Sequence, residues 1–320
     1  MKNEIFILAI FYLMLQVSLS IKRIYTIKHL NLYSEINITI KGTGNQLILN
    51  SNFAYNSNEV YINEINQTLI KKNYVISENN SNISMRWNYS ITNCTRMFSG
   101  LSNILKIDLS NFDSSKVVSM NNMFYGCTSL TSINFKNFNT SSVINMGFIF
   151  DTCTSLTSVD LSSFKTSKVT DMQAMFDDCW SLISLDLSNF DTSNVRDMNF
   201  MFYMNKSLKY LNLNSFNTSL VSDMHNMFYN CFSLKFINLK SFIERSDGLT
   251  YSNMFNNFPN SAVYCINENK TNNLYSEIHS KSINNNCSHN CFLDDFRYDI
   301  EKNICINFTI YKKLNCEKIL

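Results

Sequence analysis

Hydrophobic positions in the centre of the chain recur with a period of 26 residues. The dipeptide Met-Phe occurs at residues 97, 123, 175, 201 and 227, and again at 254 after one extra residue. Ile149-Phe150 fills the remaining place in register. A second phenylalanine column has the same spacing, at Phe112, Phe138, Phe164, Phe190, Phe216 and Phe242. Several columns in register over six units indicate a repeat architecture.

One unit, residues 179–203, shows which elements the pattern predicts. The alternation Leu185-Asp186-Leu187 predicts a short strand with one buried face. Residues 189–193 are typical of a turn. An apolar stripe then follows at helical spacing and predicts a helix of about two turns; it consists of Val195, Met198, Met201 and Phe202. We expect the methionine columns to lie in the core rather than to bind metal.

The stacking of such units follows from their size. A unit of 26 residues cannot bury its own apolar face, so it must close that face on its neighbours. One strand position per unit should then form adjacent parallel strands, at Ile107, Ile133, Val159, Leu185, Leu211 and Ile237.

The unit that begins at Cys179 reads CWSLISLDLSNFDTSNVRDMNFMF. It resembles the repeat of BspA-like leucine-rich-repeat surface proteins, over about residues 94 to 258. The resemblance implies a solenoid on a secreted or surface-displayed protein, often linked to adhesion or host contact, and it implies no enzymatic site. The chain departs from the pattern at Asn205, where the repeat has cysteine, and at 244–249, where the Thr-Ser-x-Val signature is lost.

The predicted fold class is therefore an α/β repeat: a leucine-rich-repeat-like solenoid with short parallel strands and short helices. We expect six repeats at 94–258, a β-rich N-terminal domain or antiparallel cap at 21–93, and a cysteine-rich C-terminal region at 259–320. Alternating runs predict the N-terminal strands, at 36–40, 46–49, 59–62, 73–76 and 85–89. A separate ligand-binding β domain is the alternative for this region.

The first twenty residues have the layout of a secretory signal peptide. Lys2 precedes an uncharged apolar run from Ile5 to Leu15, and small residues precede a cut after Ser20. A buried core helix and an uncleaved anchor are the alternatives. No later stretch approaches 18 apolar residues. We expect a secreted or cell-surface protein whose mature chain has no membrane span.

Composition narrows the class of function. Charged residues make up 16% and the net charge is +2, which argues against a nucleic-acid-binding protein. The chain has only four histidines and few acidic clusters, so it offers little to an acid/base enzyme. Proline occurs once and glycine six times, which indicates one turn used repeatedly.

The cysteines fall into two sets. Cys127, Cys153, Cys179 and Cys231 occupy one repeat column and are expected to be buried thiols. The C-terminal set is predicted to form disulfides, because a segment without apolar periodicity needs cross-links; it consists of Cys265, Cys287, Cys291, Cys305 and Cys316. A zinc site at Cys287 and Cys291 is disfavoured by its spacing. Cys94 is either unpaired or paired outside these sets.

Two outward strand columns supply the candidate contact residues. One column turns aromatic towards its C-terminal end, at Tyr210 and Phe236, and the other carries Asp160 and Asp186. Exposed aromatics on a sheet face favour protein recognition. The acidic column is either a cation- or sugar-binding stripe or a solvated row of Asn and Asp side chains.

Asn139 and Asn217 are candidate glycosylation sites, since both fall in the same repeat turn, which should be exposed. The sequon at Asn205 should be silent, because its column should be buried.

The sequence thus predicts a non-enzymatic secreted or cell-surface repeat protein that mediates macromolecular binding or adhesion. The expected partner is an extracellular protein or glycan, with no nucleic acid, cofactor, metal or catalytic residue involved. Two alternatives stay open: a polysaccharide-acting enzyme on a β-helix-like solenoid, and a self-assembling structural coat protein.

Overall fold

The computed structural model describes residues 33–244, 250–267 and 272–281, and the strand backbones at 296–299 and 304–307. The predicted signal peptide lies outside these residues. The described strands are β1 (Ser34–Ile40), β2 (Gly44–Leu47), β3 (Glu59–Ile62), β4 (Ile65–Asn66), β5 (Asn73–Ile76), β6 (Ser81–Trp87), β7 (Ile104–Asn111), β8 (Ser132–Asn134), β9 (Tyr210–Asn212), β10 (Phe236–Leu239), β11 (Val263–Ile266), β12 (Phe296–Asp299) and β13 (Ile304–Asn307). One helix, α1 (Asn272–Lys281), is described.

Antiparallel strands form the N-terminal region and continue into the first repeat. Each alternating run named above overlaps one of these strands. The six-stranded sheet has the order β4-β3-β6-β1-β7-β8, and β1 pairs antiparallel with both β6 and β7. Burial alternates along β1, since its inner side chains face the core. Trp87 of β6 packs edge-on against Phe112 of the first repeat, with ring centroids 6.1 Å apart.

Successive repeats are joined in register by backbone hydrogen bonds. Met120 N donates to Asn145 O at 2.9 Å, and Phe124 N donates to Ile149 O at 3.0 Å. One column of parallel bridges crosses all the repeats without interruption, through Asn93, Ser119, Asn145, Asp171, Asp197, Asp223 and Thr250. The repeats therefore form a continuous stack.

The predicted α/β leucine-rich-repeat-like solenoid is wrong. The described residues are mostly in strands and turns, the largest sheet mixes parallel and antiparallel pairs, and the one described helix, α1, lies after the repeats. In the unit 179–203, the segment expected to be helical has Phe200 at φ 56°, and Met204 follows at φ 54°. An α-helix requires right-handed backbone at every residue, so these positions interrupt it.

The hydrogen bonds of this segment show what replaces the helix. Met201 N donates to Met198 O at 3.2 Å within its own turn, whereas Phe202 N donates to Met227 O of the next repeat at 3.0 Å. A helix would satisfy these groups internally. The apolar spacing of three and four residues fits a series of tight turns as well as a helix, and here the turns leave alternate amides free to join the stack.

The strand positions form an incomplete set of parallel pairs. Ile107 pairs with Ile133, and Leu211 pairs with Ile237, as expected. Val159 and Leu185 lie outside any strand, so the prediction of six adjacent parallel strands is wrong for the middle of the stack.

The core consists of side chains that repeat along the stack. The Met-Phe columns are completely buried, which confirms that the methionines lie in the core. Phenylalanine rings of neighbouring repeats stack 5.5–5.9 Å apart and within 19° of parallel; they are Phe98, Phe124, Phe150, Phe176, Phe202, Phe228 and Phe255.

A buried threonine joins each of four repeat turns to the next one. Thr192 Oγ1 donates to Asn217 O at 3.0 Å and accepts a hydrogen bond from Asn217 N at 2.8 Å. Thr140, Thr166 and Thr218 make the same pair of bonds. A hydroxyl both donates and accepts, so one side chain satisfies two backbone groups that would otherwise be buried without partners.

The cysteine column is buried and its thiols are free, as the sequence predicts. Cys94 is also free and buried. Cys265 lies buried in β11 and is not one of the free thiols. Cys287, Cys291 and Cys316 lie outside the described residues, as does the side chain of Cys305. The C-terminal disulfides therefore stay a prediction.

Candidate contact surface

Three columns on the outer side of the stack change character between the early and the late repeats. In the early repeats they carry mainly serine and threonine, for example Thr131 and Ser132. In the later repeats they become aromatic, aliphatic or lysine. We call this region the aromatic–lysine surface; it consists of Trp180, Ile183, Lys206, Lys209, Tyr210, Phe232, Lys235 and Phe236.

The backbone places these side chains on neighbouring repeats. Lys209 N donates to Ile183 O at 3.2 Å, and Lys235 N donates to Lys209 O at 2.8 Å. Tyr210 and Phe236 are partners in the parallel pairing of β9 and β10. The leucines at 182, 208 and 234 are buried in the core, and the residue that follows each of them faces outwards.

Four large apolar side chains of this surface are exposed. The exposed fractions are 43% for Trp180, 46% for Ile183, 49% for Tyr210 and 49% for Phe232. Phe236 is half-buried. A grouped set of exposed apolar side chains is a mark of an interaction site, whereas scattered ones are ordinary.

The Trp180 ring is held in place from two sides. Its Nε1 donates to Asp178 Oδ1 at 2.7 Å, and Lys206 Nζ lies 3.9 Å from the ring centroid. The second contact is a cation–π interaction between neighbouring repeats. An indole with a fixed orientation loses little conformational entropy when a partner covers it.

The lysines of the surface form no ion pair with any acidic side chain that the structure describes. Among the described residues, the ion pairs join Arg86 to Glu35 and Glu59, and His225 to Asp223. Lys206, Lys209 and Lys235 therefore present positive charge between the apolar side chains.

Asp160 and Asp186, the acidic candidates, have a role in the turns. Asp186 Oδ1 accepts a hydrogen bond from Ser188 N at 3.0 Å, and Asp160 Oδ1 accepts one from Ser162 N at 2.9 Å. The side chain and backbone of Ser162 hold the pKa of Asp160 below its usual value. Every other residue of this column makes the same bond, so the column satisfies turn amides.

A stacked pair of carboxyl groups lies where the sequence showed no pair. Asp151 and Asp177 occupy the same position in successive repeats. Burial raises the pKa of Asp151 to about 6. Burial, with the charges of Asp151 and Asp178, raises the pKa of Asp177 to about 8. Asp177 Oδ1 is buried without a hydrogen-bond partner. Perturbed carboxyls are candidates for functional groups, but they also occur in purely structural networks.

Metal binding has no candidate in the part of the chain that the structure describes. No group of three His, Cys, Asp or Glu side chains there is arranged to hold a metal ion.

The N-terminal region has a shallow cavity of about 270 Å³, lined in part by Asn45, Lys71 and Tyr74. The Tyr74 hydroxyl accepts a hydrogen bond from Lys71 N and donates one to Leu69 O, each at 2.9 Å. This polar group is therefore already engaged within the chain.

The two candidate glycosylation sites share one turn geometry. Asn139 is exposed and Asn217 is half-buried, and the Oδ1 of each accepts a hydrogen bond from the serine amide two residues later. Asn205 is completely buried, as expected. Glycosylation at Asn139 and Asn217 stays a prediction.

The sequence missed Trp180 and the lysines because they lie in the turn before the strand, where no alternation marks the outer face. A comparison of equivalent positions in successive repeats could have found them. In the next repeat, Trp180 takes the place of Thr154, and Ile183 takes the place of Thr157.

No helix within the described ranges is long and apolar enough to cross a bilayer. The model of one protein family, described as "Mycoplasma protein of unknown function, DUF285", matches residues 68–182 and 153–268, which together make up more than half of the chain. No curated protein and no solved structure matches significantly.

Proposed function

We propose a function for this chain from the premise that it belongs to the Mycoplasma family of unknown function that matches it. The chain is, in this proposal, a non-enzymatic, secreted or cell-surface repeat protein. In this proposal it binds another macromolecule through the aromatic–lysine surface. The resemblance of its repeats to BspA-like surface proteins supports adhesion as the result of binding. The apolar run at residues 5–15 supports export.

The observation that carries the proposal is the exposure of Trp180, Ile183, Tyr210 and Phe232 on one side of a continuous stack. Folding does not need these side chains at the surface, because the same columns carry Ser and Thr in the earlier repeats. Exposed Trp and Tyr side chains are typical of the residues that dominate binding energy in protein interfaces. The backbone hydrogen bonds between repeats support a rigid arrangement of these side chains.

An array of extracellular proteins and glycans, probed with the full-length protein, tests binding. The expected result is retention of a small set of partners, which weakens at least about tenfold with Tyr210→Ala, a loss typical of an interface residue. Tyr125→Ala is the matched control, because Tyr125 is 41% exposed in an earlier repeat and a different column. Equal losses with both variants, or no retained partner, would reject the proposal.

Export is tested separately by expression of the full chain in a secretory host. The expected result is protein in the medium or on the cell surface. A matched chain with Leu8→Arg should stay inside the cell, because the substitution places a charge in the apolar run.

A further inference from the structure

We propose that the partner of the aromatic–lysine surface is an anionic glycan, a polysaccharide that carries carboxylate or sulfate groups. This inference rests on the proposed function and names the chemistry of its ligand. Three features of the surface support it: the placement of its lysines, the separation of its aromatic rings, and its composition as an interface.

The lysines form a short row along the stack. Lys209 and Lys235 occupy the same column in successive repeats, and the bond from Lys235 N to Lys209 O joins them directly. Backbones paired in this way lie about 4.8 Å apart. Lys206 lies three residues before Lys209. A polymer with an anion at regular intervals can engage several of these ammonium groups at once, whereas a single anion cannot.

The aromatic rings are separate platforms. Tyr210, Phe232 and Phe236 make no ring contact with another aromatic side chain among the described residues, in contrast to the core phenylalanines. Each ring can therefore cover one apolar face of a sugar, where the C–H groups lie. Lys206 Nζ lies over one face of the Trp180 ring, 3.9 Å from its centroid, and so places a cation among the rings of this surface.

The mixture of residues favours a glycan over a protein. The buried centre of a protein interface is depleted of lysine, yet three of the eight surface residues here are lysines. A single-stranded nucleic acid also combines stacking with positive charge. Nucleic-acid-binding proteins, however, usually carry a concentrated basic face, whereas this chain has 16% charged residues and a net charge of only +2.

Binding of the full-length protein to five immobilised probes tests the inference. The probes are heparin, polygalacturonate, neutral dextran, poly-glutamate and an oligo-dT strand. The expected result is binding to heparin or polygalacturonate, none to dextran, and weaker binding to poly-glutamate and oligo-dT. Tighter binding to poly-glutamate would assign an acidic protein segment instead, and tighter binding to oligo-dT would assign a nucleic acid.

The variants use residues that the same columns already contain. Lys209→Thr and Lys235→Thr reproduce Thr131 and Thr157, and Trp180→Thr reproduces Thr154, so all three should fold. Each should weaken glycan binding at least about tenfold. Lys136→Thr is the control, since it removes one exposed positive charge outside the surface. Equal weakening by Lys136→Thr would show unspecific charge attraction and overturn the inference.

Failure of the inference and failure of the proposed function give different results. If no anionic glycan binds but an array partner is lost with Tyr210→Ala, the ligand class is wrong and the binding function stands. If neither assay finds a partner whose binding depends on the aromatic–lysine surface, both the glycan inference and the proposed binding function are rejected.

Discussion

The side-chain amide of Asn205 donates a hydrogen bond to Phe176 O, 2.7 Å away. Four other repeats use a cysteine thiol in this place; Cys231 Sγ, for example, donates to Phe202 O at 3.0 Å. The amide keeps the donor but adds an acceptor, and Asn205 Oδ1 is buried without a partner. A buried acceptor without a hydrogen bond lowers stability by about 1–3 kcal/mol.

Asn205→Cys should therefore raise the free energy of unfolding by about 1 kcal/mol, because it keeps the donor and removes the unpaired oxygen. Urea denaturation followed by circular dichroism measures this change. Cys179→Asn is the reverse control and should destabilise the protein. A loss of stability with Asn205→Cys would mean that Oδ1 has a partner in solution.

The threonine column is the second place where one side chain joins two repeats. Thr192→Val keeps the shape but leaves the amide and carbonyl of Asn217 without the hydroxyl. The expected loss in the free energy of unfolding is about 1–3 kcal/mol. Thr192→Ser keeps the hydroxyl, so its free energy of unfolding should fall clearly less than that of Thr192→Val. If both variants unfold at the same urea concentration, the hydroxyl does not stabilise the stack.

Asp177 should make stability depend on pH. Its pKa is about 8 in the folded chain against 3.8 ordinarily, so the folded state binds its proton more tightly than the unfolded state does. The contribution of Asp177 is thus most favourable below pH 4 and is lost as the pH rises towards 8. Asp177→Asn should remove this slope and raise stability at pH 8 by about 1 kcal/mol or more.

Melting temperatures between pH 4 and pH 8 give the measurement for Asp177. Asp160→Asn is the control, because the column of Asp160 already contains asparagine and its pKa is lowered rather than raised. The same flattening in both variants would contradict the assignment to Asp177.

The column cysteines should react with a thiol reagent only after unfolding. Burial raises the pKa of Cys127 and of Cys231 to about 12, so almost no thiolate is present at neutral pH. Mass spectrometry of labelled peptides, with and without urea, measures the reactivity. Labelling of Cys127 in the native protein would show that the stack opens locally, and a disulfide in the column would contradict the free thiols.

The sequence predicts burial well and conformation poorly. Met198 and Phe202 are buried as expected because the 26-residue period marks which side chains face inwards, whatever the backbone does between them. The helix was wrong because Ala174 and Phe200 adopt left-handed backbone, which neither residue type prefers. Hydrogen bonds from the neighbouring repeat stabilise that conformation, and local sequence patterns do not contain this information.

The candidate surface was predicted in part for a related reason. Tyr210 and Phe236 lie on strands, where alternation shows the outer face, whereas Trp180 lies in a turn. The period places Asp151 and Asp177 in one column, but the burial that raises both pKa values depends on the turn conformation, which the sequence pattern did not predict. Once the period is known, each column can be examined as a line of contacts.

Backbone hydrogen bonds between repeats join positions about 26 residues apart, from Cys94 N to Ser119 O onwards. Deletion or duplication of one whole unit would therefore reconnect every column to another member of the same column. A gene that encodes this stack can lengthen or shorten its product by about 4.8 Å per unit, the spacing of paired backbones, while the cross-section stays the same. Recombination between similar units would then give a series of proteins of different length, and those that change only units outside residues 180–236 would keep the aromatic–lysine surface.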